Sequence, residues 1–436
     1  MDSVSVRDQI WPTGAARADG ELTIAGLGVR ALAAEFGTPL YLLDAADFRT
    51  RCSTWLAAFP DGDVHYGGKA FLAPAVVGWL AELGLCLDVC SGGELAVARV
   101  GGMPPERVVF HGNNKSVAEI RQAVTWGVGC IVLDSRHEVD RVARAAEQTG
   151  TRQQVMIRVK PGVDADTHAS WATGGERSKF GLSIASGEAA EAIRGVLAEP
   201  SLELVGLHSH IGSQIFDAAG FEVAAHRVIE LAVRIRDAHG IEIAELDLGG
   251  GFGIAYTDED DAPEVKDLAQ SLRQIVDVQC AVAGLAQPRL TVEPGRAIVG
   301  PSMVTLYTVG TIKDVDGLRT YVSVDGGMSD NIRTALYDAS YTCALASRES
   351  SAPPMLSRVV GRHCESGDIV VRHAYLPADL APGDLLAVAA TGAYCRSLAS
   401  NYNHVPRSAV VAVSDGAARA IVRRESLDDL LSLDVG

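Results

Sequence analysis

Several short segments of the chain hold side chains that could take part in catalysis. Lys69 follows an apolar run and has small neighbours within residues 66–70. An amine at this place could form a Schiff base, because burial would lower the pKa of Lys69 and leave it neutral. The motif by itself also fits an ordinary surface lysine.

A glycine-rich segment follows a later apolar run. Gly249, Gly250 and Gly251 stand in a row, and their bare backbone amides could approach a phosphate or form a tight turn. The dinucleotide pattern G-x-G-x-x-G is not met, because Ile254 stands where its last glycine should be, and the chain has no P-loop pattern. Nicotinamide and nucleotide cofactors are therefore disfavoured.

A carboxylate, a guanidinium and a thiol are the next candidates. Glu293 and Arg296 come at the end of another apolar run. The carboxylate could hold a pyridinium nitrogen protonated and Arg296 could bind a carboxylate or phosphate, although a salt bridge at a strand end is the simpler interpretation. Cys364 lies between His363 and Glu365, a polar setting that suits an acid or a nucleophile.

Two histidines complete the set. His208 and His210 are two residues apart and would point to the same face of a strand. No third ligand of suitable spacing stands nearby in the sequence, so we predict no metal site. His210 is better suited to stack on a flat cofactor, and His208 to lie in the core with its ring bonded to backbone groups.

The elements that position these residues are β-branched runs separated mostly by Ala-rich helical segments. Eight such runs cover residues 63–66, 85–88, 107–110, 130–134, 155–159, 204–208, 243–248 and 289–293. We therefore predict a (β/α)8 TIM-like barrel, with an open doubly wound sheet as the alternative. In a barrel the residues at the strand ends, from Lys69 and Asp88 to Glu293, should converge at one mouth.

The pattern changes after about residue 305 to short strands and turns. We expect an α/β barrel domain over residues 46–305 and an all-β C-terminal domain, a sandwich or barrel, over residues 306–436, joined by the N-terminal segment 1–45. The polar stretch 161–179 interrupts the barrel after its fifth strand, and loops of that length are usually lids or disordered segments.

Composition excludes several classes of protein. The 436 residues are 47% apolar and 21% charged, which excludes disorder, and the net charge of −17 disfavours nucleic acid and anionic lipid as partners. No apolar stretch approaches about 18 residues, and the first residues do not resemble an export signal. The eight cysteines are scattered, as is typical of thiols in a reducing compartment. We expect a cytoplasmic protein with neither a nucleic-acid nor a membrane partner.

Together these motifs resemble, in the same order, those of the fold-type III, alanine-racemase-like pyridoxal-phosphate decarboxylases, and most closely the diaminopimelate decarboxylase family. The resemblance rests on residues 66–70, 88–94, 111–115, 208–214, 249–251, 293–296, 364–368 and 392–394. It implies pyridoxal 5'-phosphate as cofactor and decarboxylation of meso-2,6-diaminopimelate to L-lysine and CO2, the last step of lysine biosynthesis. One departure is that Gly67 and Gly68 stand where the family more often has alanine.

The resemblance also implies roles for individual residues. It assigns catalysis to Lys69, which would carry the cofactor, to His210, which would stack on its ring, and to Cys364, the proton donor. The implied cofactor-binding residues are Lys69, Asp88, His210, Ser213, Gly250, Gly251, Glu293, Gly295, Arg296 and Tyr394. The implied substrate-binding residues are Arg296, Arg333, Tyr337, Glu365 and Tyr394. In this family the Cys-Glu loop crosses a dimer interface, so a homodimer with shared active sites is implied.

The substrate follows from charge. Diaminopimelate carries an ammonium and a carboxylate at its distal end, which Glu365 and the arginines Arg296 and Arg333 would match. The related ornithine and arginine decarboxylases tend to have Asp after the cysteine, where this chain has Glu365. A decarboxylase of such an amino acid, a racemase of the same fold and a non-catalytic regulator that binds pyridoxal phosphate are the alternatives.

Overall fold

The computed structural model describes residues 9–163, 174–315 and 318–435. Contacts within the chain define two units. The barrel unit comprises Cys52–Gly253 and Pro263–Gly295, and the β-rich unit comprises Met1–Arg51, Ile254–Ala262 and Arg296–Gly436.

The elements that precede the barrel are short. They are β1 (Ala15–Ala18), β2 (Glu21–Ile24), β3 (Leu27–Gly28), α1 (Val29–Phe36), β4 (Leu40–Asp44) and α2 (Ala45–Ala58). The first three strands form an antiparallel sheet of their own.

The barrel unit is a closed parallel sheet. Its strands are β5 (Asp63–Gly67), β6 (Cys86–Val89), β7 (Val108–Phe110), β8 (Cys130–Leu133), β9 (Gln153–Lys160), β10 (Leu182–Ser183), β11 (Leu202–His208), β12 (Glu245–Asp247) and β13 (Arg289–Val292). Closure comes from β13, which pairs in parallel with β5. The predicted (β/α)8 barrel is confirmed and the open doubly wound sheet is wrong, because an open sheet has two edge strands, whereas each of the eight barrel strands pairs with a neighbour on both sides. Of the described strands, only β9 pairs with the short strand β10.

Helices follow most barrel strands. They are α3 (Pro74–Leu83), α4 (Gly92–Val100), α5 (Val117–Trp126), α6 (Arg136–Thr149), α7 (Glu188–Ala198), α8 (Ala219–His239) and α9 (Val265–Ala283), with 3-10 turns at Gly68–Ala70 and Pro105–Arg107. The buried face of α8 has the helical spacing that the sequence predicts, with Phe221, Val228 and Ile235 among its members. Helix α5 begins at a capping box, in which Ser116 and Glu119 bind each other's backbone amides.

The β-rich unit holds the remaining elements. They are α10 (Arg296–Val299), β14 (Met303–Val315), β15 (Arg319–Val324), α11 (Arg333–Tyr337), β16 (Cys343–Leu345), β17 (Pro354–Val360), β18 (Ile369–Pro377), β19 (Leu385–Val388), β20 (Ala409–Ser414), β21 (Ala417–Val422) and α12 (Leu427–Leu431), with 3-10 turns at Arg396–Leu398 and Tyr402–His404. The main sheet runs in the order β18-β17-β15-β14-β4-β20-β21, and β19 pairs with both β14 and β16.

Strand β4 comes from the N-terminal segment but lies in the middle of this sheet. It pairs antiparallel with β14 and parallel with β20, and all five of its residues are buried. A strand that is buried on both faces typically has apolar residues at every position, as residues 40–43 do here. No pattern in the sequence predicts this pairing.

The expected lid, residues 161–179, falls partly outside the described residues, which resume at residue 174. Within the described ranges, no helix has both the length and the apolar character needed to cross a membrane.

Candidate active site

Four titratable side chains meet at the carboxyl ends of the barrel strands. Asp88 lies in β6, His111 follows β7, His208 ends β11 and Glu293 follows β13. Nε2 of His111 lies 3.3 Å from Oδ1 of Asp88 and 3.6 Å from Oε1 of Glu293. Nε2 of His208 lies 2.9 Å from the same Glu293 oxygen. Carboxylates and imidazoles therefore alternate across the barrel mouth.

The surroundings of Glu293 keep its carboxylate charged. Burial by itself would raise the pKa of Glu293, but the imidazoles of His208 and His111 outweigh burial and hold this pKa well below its usual value. Despite these close contacts, Oε1 accepts no well-aligned hydrogen bond from the described residues. An anionic oxygen that can still accept a hydrogen bond is a suitable partner for a protonated ring nitrogen.

Lys69 lies in the 3-10 turn directly after β5. The neighbouring Gly68 and Ala70 are buried, whereas the Lys69 side chain is exposed. The expectation that Lys69 is buried is therefore wrong for the described residues, because the lysine is exposed although both of its neighbours in the turn are buried. A Cβ on Gly68 would lie 2.7 Å from the backbone oxygen of Asp88, so glycine at this position allows the turn to lie close against β6.

The glycine segment after β12 passes close to the neighbouring backbone. Gly251 has φ +99°, and a Cβ there would lie 2.2 Å from the backbone oxygen of Gly212, next to Ser213. A Cβ on Gly250 would lie 2.3 Å from the oxygen of Glu293. On the other side of β13, a Cβ on Gly295 would lie 2.9 Å from the oxygen of Gly67. Only glycine fits at these three positions. Its backbone amides are therefore not covered by side chains and can approach a ligand.

His210 is held by this glycine segment. Its Nδ1 accepts a hydrogen bond from the Gly250 amide at 3.1 Å, so the proton of the neutral ring lies on Nε2. Burial, and next the positive charge of Lys69, lower the pKa of His210 well below its usual value. His210 therefore presents a neutral ring to the barrel mouth.

The barrel mouth thus offers an amine, a bare glycine segment, a neutral imidazole and an anionic carboxylate. An aldehyde, a phosphate, a flat ring and a protonated ring nitrogen are their chemical complements. The residues present therefore fit pyridoxal phosphate, which carries all four features.

In the β-rich unit, Arg333 and Arg296 are buried near each other. Nη1 of Arg333 donates to the hydroxyls of Tyr256 at 2.9 Å and Tyr341 at 2.6 Å, and Nη1 of Arg296 donates to the Tyr256 hydroxyl at 2.5 Å. Cζ of Arg296 also lies 4.8 Å from the ring centre of Tyr394, which has φ +64°. Arginines held by phenols keep their charge available to an anion.

The other expected substrate residues lie in two places. Tyr337 ends the short helix α11 that Arg333 begins, and it is half-buried. Cys364 and Glu365 are exposed at the tip of a loop. The base of that loop is fixed by Asp368, whose side chain accepts hydrogen bonds from the amides of His363 and Met328.

The fold places two further potential metal ligands next to His208. No third ligand near His208 is visible in the sequence, yet His111 and Glu293 each place a ligand atom within 4.8 Å of it and of each other. The prediction of no metal site therefore stays a prediction. Within the described part of the chain, neither ring nitrogen of His208 bonds to backbone, so the expectation of a histidine satisfied by backbone is wrong there.

Tyr256 and Tyr341 are two residues of the cluster around Arg333 that the sequence does not reveal. Tyrosines carry no motif of their own, and the two lie 85 positions apart in the sequence, far from each other in any spacing pattern. Only the fold shows that their rings meet edge to face, with centres 5.2 Å apart.

Comparison with known proteins agrees with this geometry. The pyridoxal-binding domain of the pyridoxal-dependent decarboxylases matches residues 45–300. A diaminopimelate decarboxylase of Mycobacterium tuberculosis (strain H37Rv) is 56% identical over 439 residues, covering 98% of each chain, and one of Bacillus subtilis is 43% identical, covering 95% of each. The crystal structure of the M. jannaschii diaminopimelate decarboxylase with L-lysine superposes with a TM-score of 0.91 at 32% identity, covering 98% of each chain. The chain therefore belongs to the pyridoxal-dependent decarboxylases and, within them, to the diaminopimelate decarboxylase family.

Proposed function

We propose that this chain decarboxylates meso-2,6-diaminopimelate to L-lysine and CO2, the last step of lysine biosynthesis, with pyridoxal 5'-phosphate as cofactor. The observation that carries the proposal is Arg333, a buried guanidinium whose neighbours among the described residues are phenols and not carboxylates. A substrate with a second carboxylate supplies the missing anion. Ornithine and arginine lack that carboxylate.

The barrel unit holds the cofactor. Lys69 attaches it, His210 stacks on its ring, and Glu293 pairs with the ring nitrogen, while Ser213 and the glycine segment receive the phosphate. When bound, the cofactor draws electrons away from the reacting carbon of the substrate. Glu293 supports this because its lowered pKa keeps an anion beside the ring nitrogen at every physiological pH. Contacts of Asp88, Gly295, Arg296 and Tyr394 with the cofactor remain predictions.

The substrate is held by charge and protonated by a thiol. Arg333 and Arg296 bind the distal carboxylate, and Glu365 binds the distal ammonium, with Tyr337 and Tyr394 beside them. When the bond to the departing carboxylate breaks, CO2 leaves and its bonding electrons stay with the α-carbon. Cys364 then gives its proton to that carbon, which completes the amine end of lysine.

The working enzyme is a homodimer in which Cys364 and Glu365 complete the site of the partner subunit. Their exposure at the tip of an anchored loop supports this arrangement. Mixing the inactive variants Lys69→Ala and Cys364→Ala under conditions that exchange subunits tests it. In a shared-site dimer, random exchange restores about a quarter of wild-type activity, because half of the dimers regain one complete site. If the mixture stays inactive although exchange is verified, each subunit works alone.

The assay that tests the function supplies purified holoenzyme separately with meso-diaminopimelate, ornithine, arginine and lysine, and follows CO2 and the amine product. Lysine formed from diaminopimelate alone is expected. Lys69→Ala should lose both the absorbance of bound cofactor and activity, whereas the exposed-lysine control Lys266→Ala should keep both. Release of CO2 only from ornithine or arginine, or from none of the four, contradicts the proposal. The free state of all eight cysteines supports a cytoplasmic location.

A further inference from the structure

Two arginines of the β-rich unit share one phenol oxygen. Oη of Tyr256 accepts from Nη1 of Arg296 at 2.5 Å and from Nη1 of Arg333 at 2.9 Å. All three side chains are buried, and both guanidiniums also approach the Tyr256 ring, with Cζ 5.8 Å and 4.9 Å from its centre. Tyr256 therefore fixes the spacing of the two positive charges.

Counting hydrogen bonds shows unused donors in this cluster. A phenol oxygen has two lone pairs and one proton. The two arginines occupy both lone pairs of Tyr256, and no described residue accepts its proton. Among the described residues, the guanidinium of Arg333 donates only through Nη1, and its buried Nε has no partner. The cluster can thus donate to one more acceptor from at least two atoms.

The backbone around Tyr256 is also fixed. Its amide donates to the Asp260 carboxylate at 2.9 Å, and its carbonyl accepts from the Thr342 hydroxyl at 2.8 Å. These bonds hold both ends of the residue, so its hydroxyl has a defined position before a ligand binds. Preorganised donors lose little entropy on binding and therefore discriminate well between ligands.

We propose that Tyr256 is a specificity-determining residue that holds Arg296 and Arg333 at a fixed spacing and donates its own hydroxyl proton to the distal carboxylate of the substrate. This inference rests on the proposed function, because that carboxylate distinguishes diaminopimelate from ornithine and arginine. Lysine, the product, keeps the same end of the molecule and should bind the same donors.

The test compares two ligands that differ by one carboxylate, L-lysine and 1,5-diaminopentane. Their dissociation constants for the holoenzyme are measured by titration calorimetry. Tyr256→Phe keeps the ring and removes only the hydroxyl. Tyr341→Phe is the matched control: its hydroxyl also accepts from Arg333, but it contacts the thiol of Cys395 at 3.6 Å and not Arg296.

We expect Tyr256→Phe to weaken lysine binding about 10- to 100-fold, the range for a hydrogen bond to a charged group, and to change diaminopentane binding less than about twofold. The KM for diaminopimelate should rise by a similar factor, with kcat within about threefold of wild type. Tyr341→Phe should weaken lysine binding only about two- to fivefold.

Three results would overturn the inference. They are equal losses for both ligands in Tyr256→Phe, equal effects of the two variants on lysine, and a wild-type enzyme that binds lysine no tighter than diaminopentane. The last measurement needs no variant, so it decides the matter even if Tyr256→Phe does not fold. Failure of the proposed function gives a different result, since the wild-type enzyme would then release no CO2 from diaminopimelate.

Discussion

The amide of Gly250 donates a hydrogen bond to Nδ1 of His210 across 3.1 Å, and this bond decides which ring nitrogen carries the proton. The same glycine lies so close to the strand beside it that a Cβ would stand 2.3 Å from the oxygen of Glu293. One residue thus sets the His210 tautomer and the course of the backbone next to Glu293.

Gly250→Ala should therefore impair cofactor binding. The methyl group must push the segment away from β13, because its nearest neighbour is backbone and cannot rotate aside. We expect the affinity for pyridoxal phosphate, measured by fluorescence titration, to fall at least about tenfold. Gly78→Ala is the matched control: it lies inside α3, where a Cβ meets nothing closer than 3.7 Å, and should stabilise the fold by about 0.5–1 kcal/mol. Equal cofactor affinity in both variants would show that the segment tolerates a side chain.

Glu293→Gln should retain the fold and lose turnover. The amide keeps the shape of the side chain but removes the anion that His208 and His111 stabilise. We expect kcat to fall about 100-fold or more. Because the pKa of Glu293 is lowered, the carboxylate stays ionised as pH falls to 5, so the wild-type rate should show no acid limb from this group. Glu230→Gln, on the exposed side of α8, should leave kcat unchanged, and an equal loss there would point to general damage.

Lys115 should matter for stability and not for chemistry. Its ammonium is buried and donates to Glu138 at 3.1 Å and to the backbone oxygens of Gly112 and Val132 at 2.7 Å. Lys115→Met leaves the Glu138 carboxylate buried without its counter-charge, which should cost about 3–5 kcal/mol of unfolding free energy in urea titrations.

The double variant Lys115→Met with Glu138→Leu tests that cause. It should recover part of the loss, but not all of it, since Glu138 also accepts from the amide of Asp134 at 2.8 Å. If the double variant is no more stable than the single one, the loss comes from packing and not from an unpaired charge.

Asp330 should make stability depend on pH. Burial raises the pKa of this carboxyl to about 7, although the hydroxyl of Tyr307 and the amide of Gly327 donate to it. Between about pH 4 and pH 7 the folded chain therefore holds a proton that the unfolded chain releases, so Asp330 lowers stability as pH rises through this window, by up to about 1.4 kcal/mol per unit.

Asp330→Asn removes the titration and keeps a side chain of the same shape. Urea midpoints measured at pH 5 and pH 8 should show a smaller loss of stability across this interval for the variant than for the wild type. An identical loss in both proteins would mean that other groups titrate and that Asp330 does not.

The sequence predicts the barrel well because its signals are local. Each of the eight predicted runs overlaps an observed barrel strand, and closure then brings Asp88, His111 and Glu293 to one mouth. The sequence predicts less well wherever a contact depends on distant pairing. Strand β16 has only three residues, and β21 is rich in alanine, which favours helices over strands. The shared phenol of Tyr256 depends on the approach of two arginines from separate elements.

The exposure of Lys69 could not be predicted from its motif. A motif can name the residue that reacts, but the solvent accessibility of a side chain depends on what surrounds the turn, which no spacing rule contains. The same holds for the loop from Cys364 to Asp368. The sequence identifies the thiol, but it does not show that the amides of Met328 and His363 donate to Asp368 and so fix the base of the loop.

The central position of β4 has a consequence for synthesis on the ribosome. Residues 40–44 are translated early, yet β14 follows only after the whole barrel, and β20 only after most of the C-terminal region. The nascent chain therefore carries an apolar strand with two open edges for most of its translation, a state that invites wrong pairing. Truncation before residue 409 would leave one edge of β4 open permanently, because β14 would still pair with β4 but β20 would be absent.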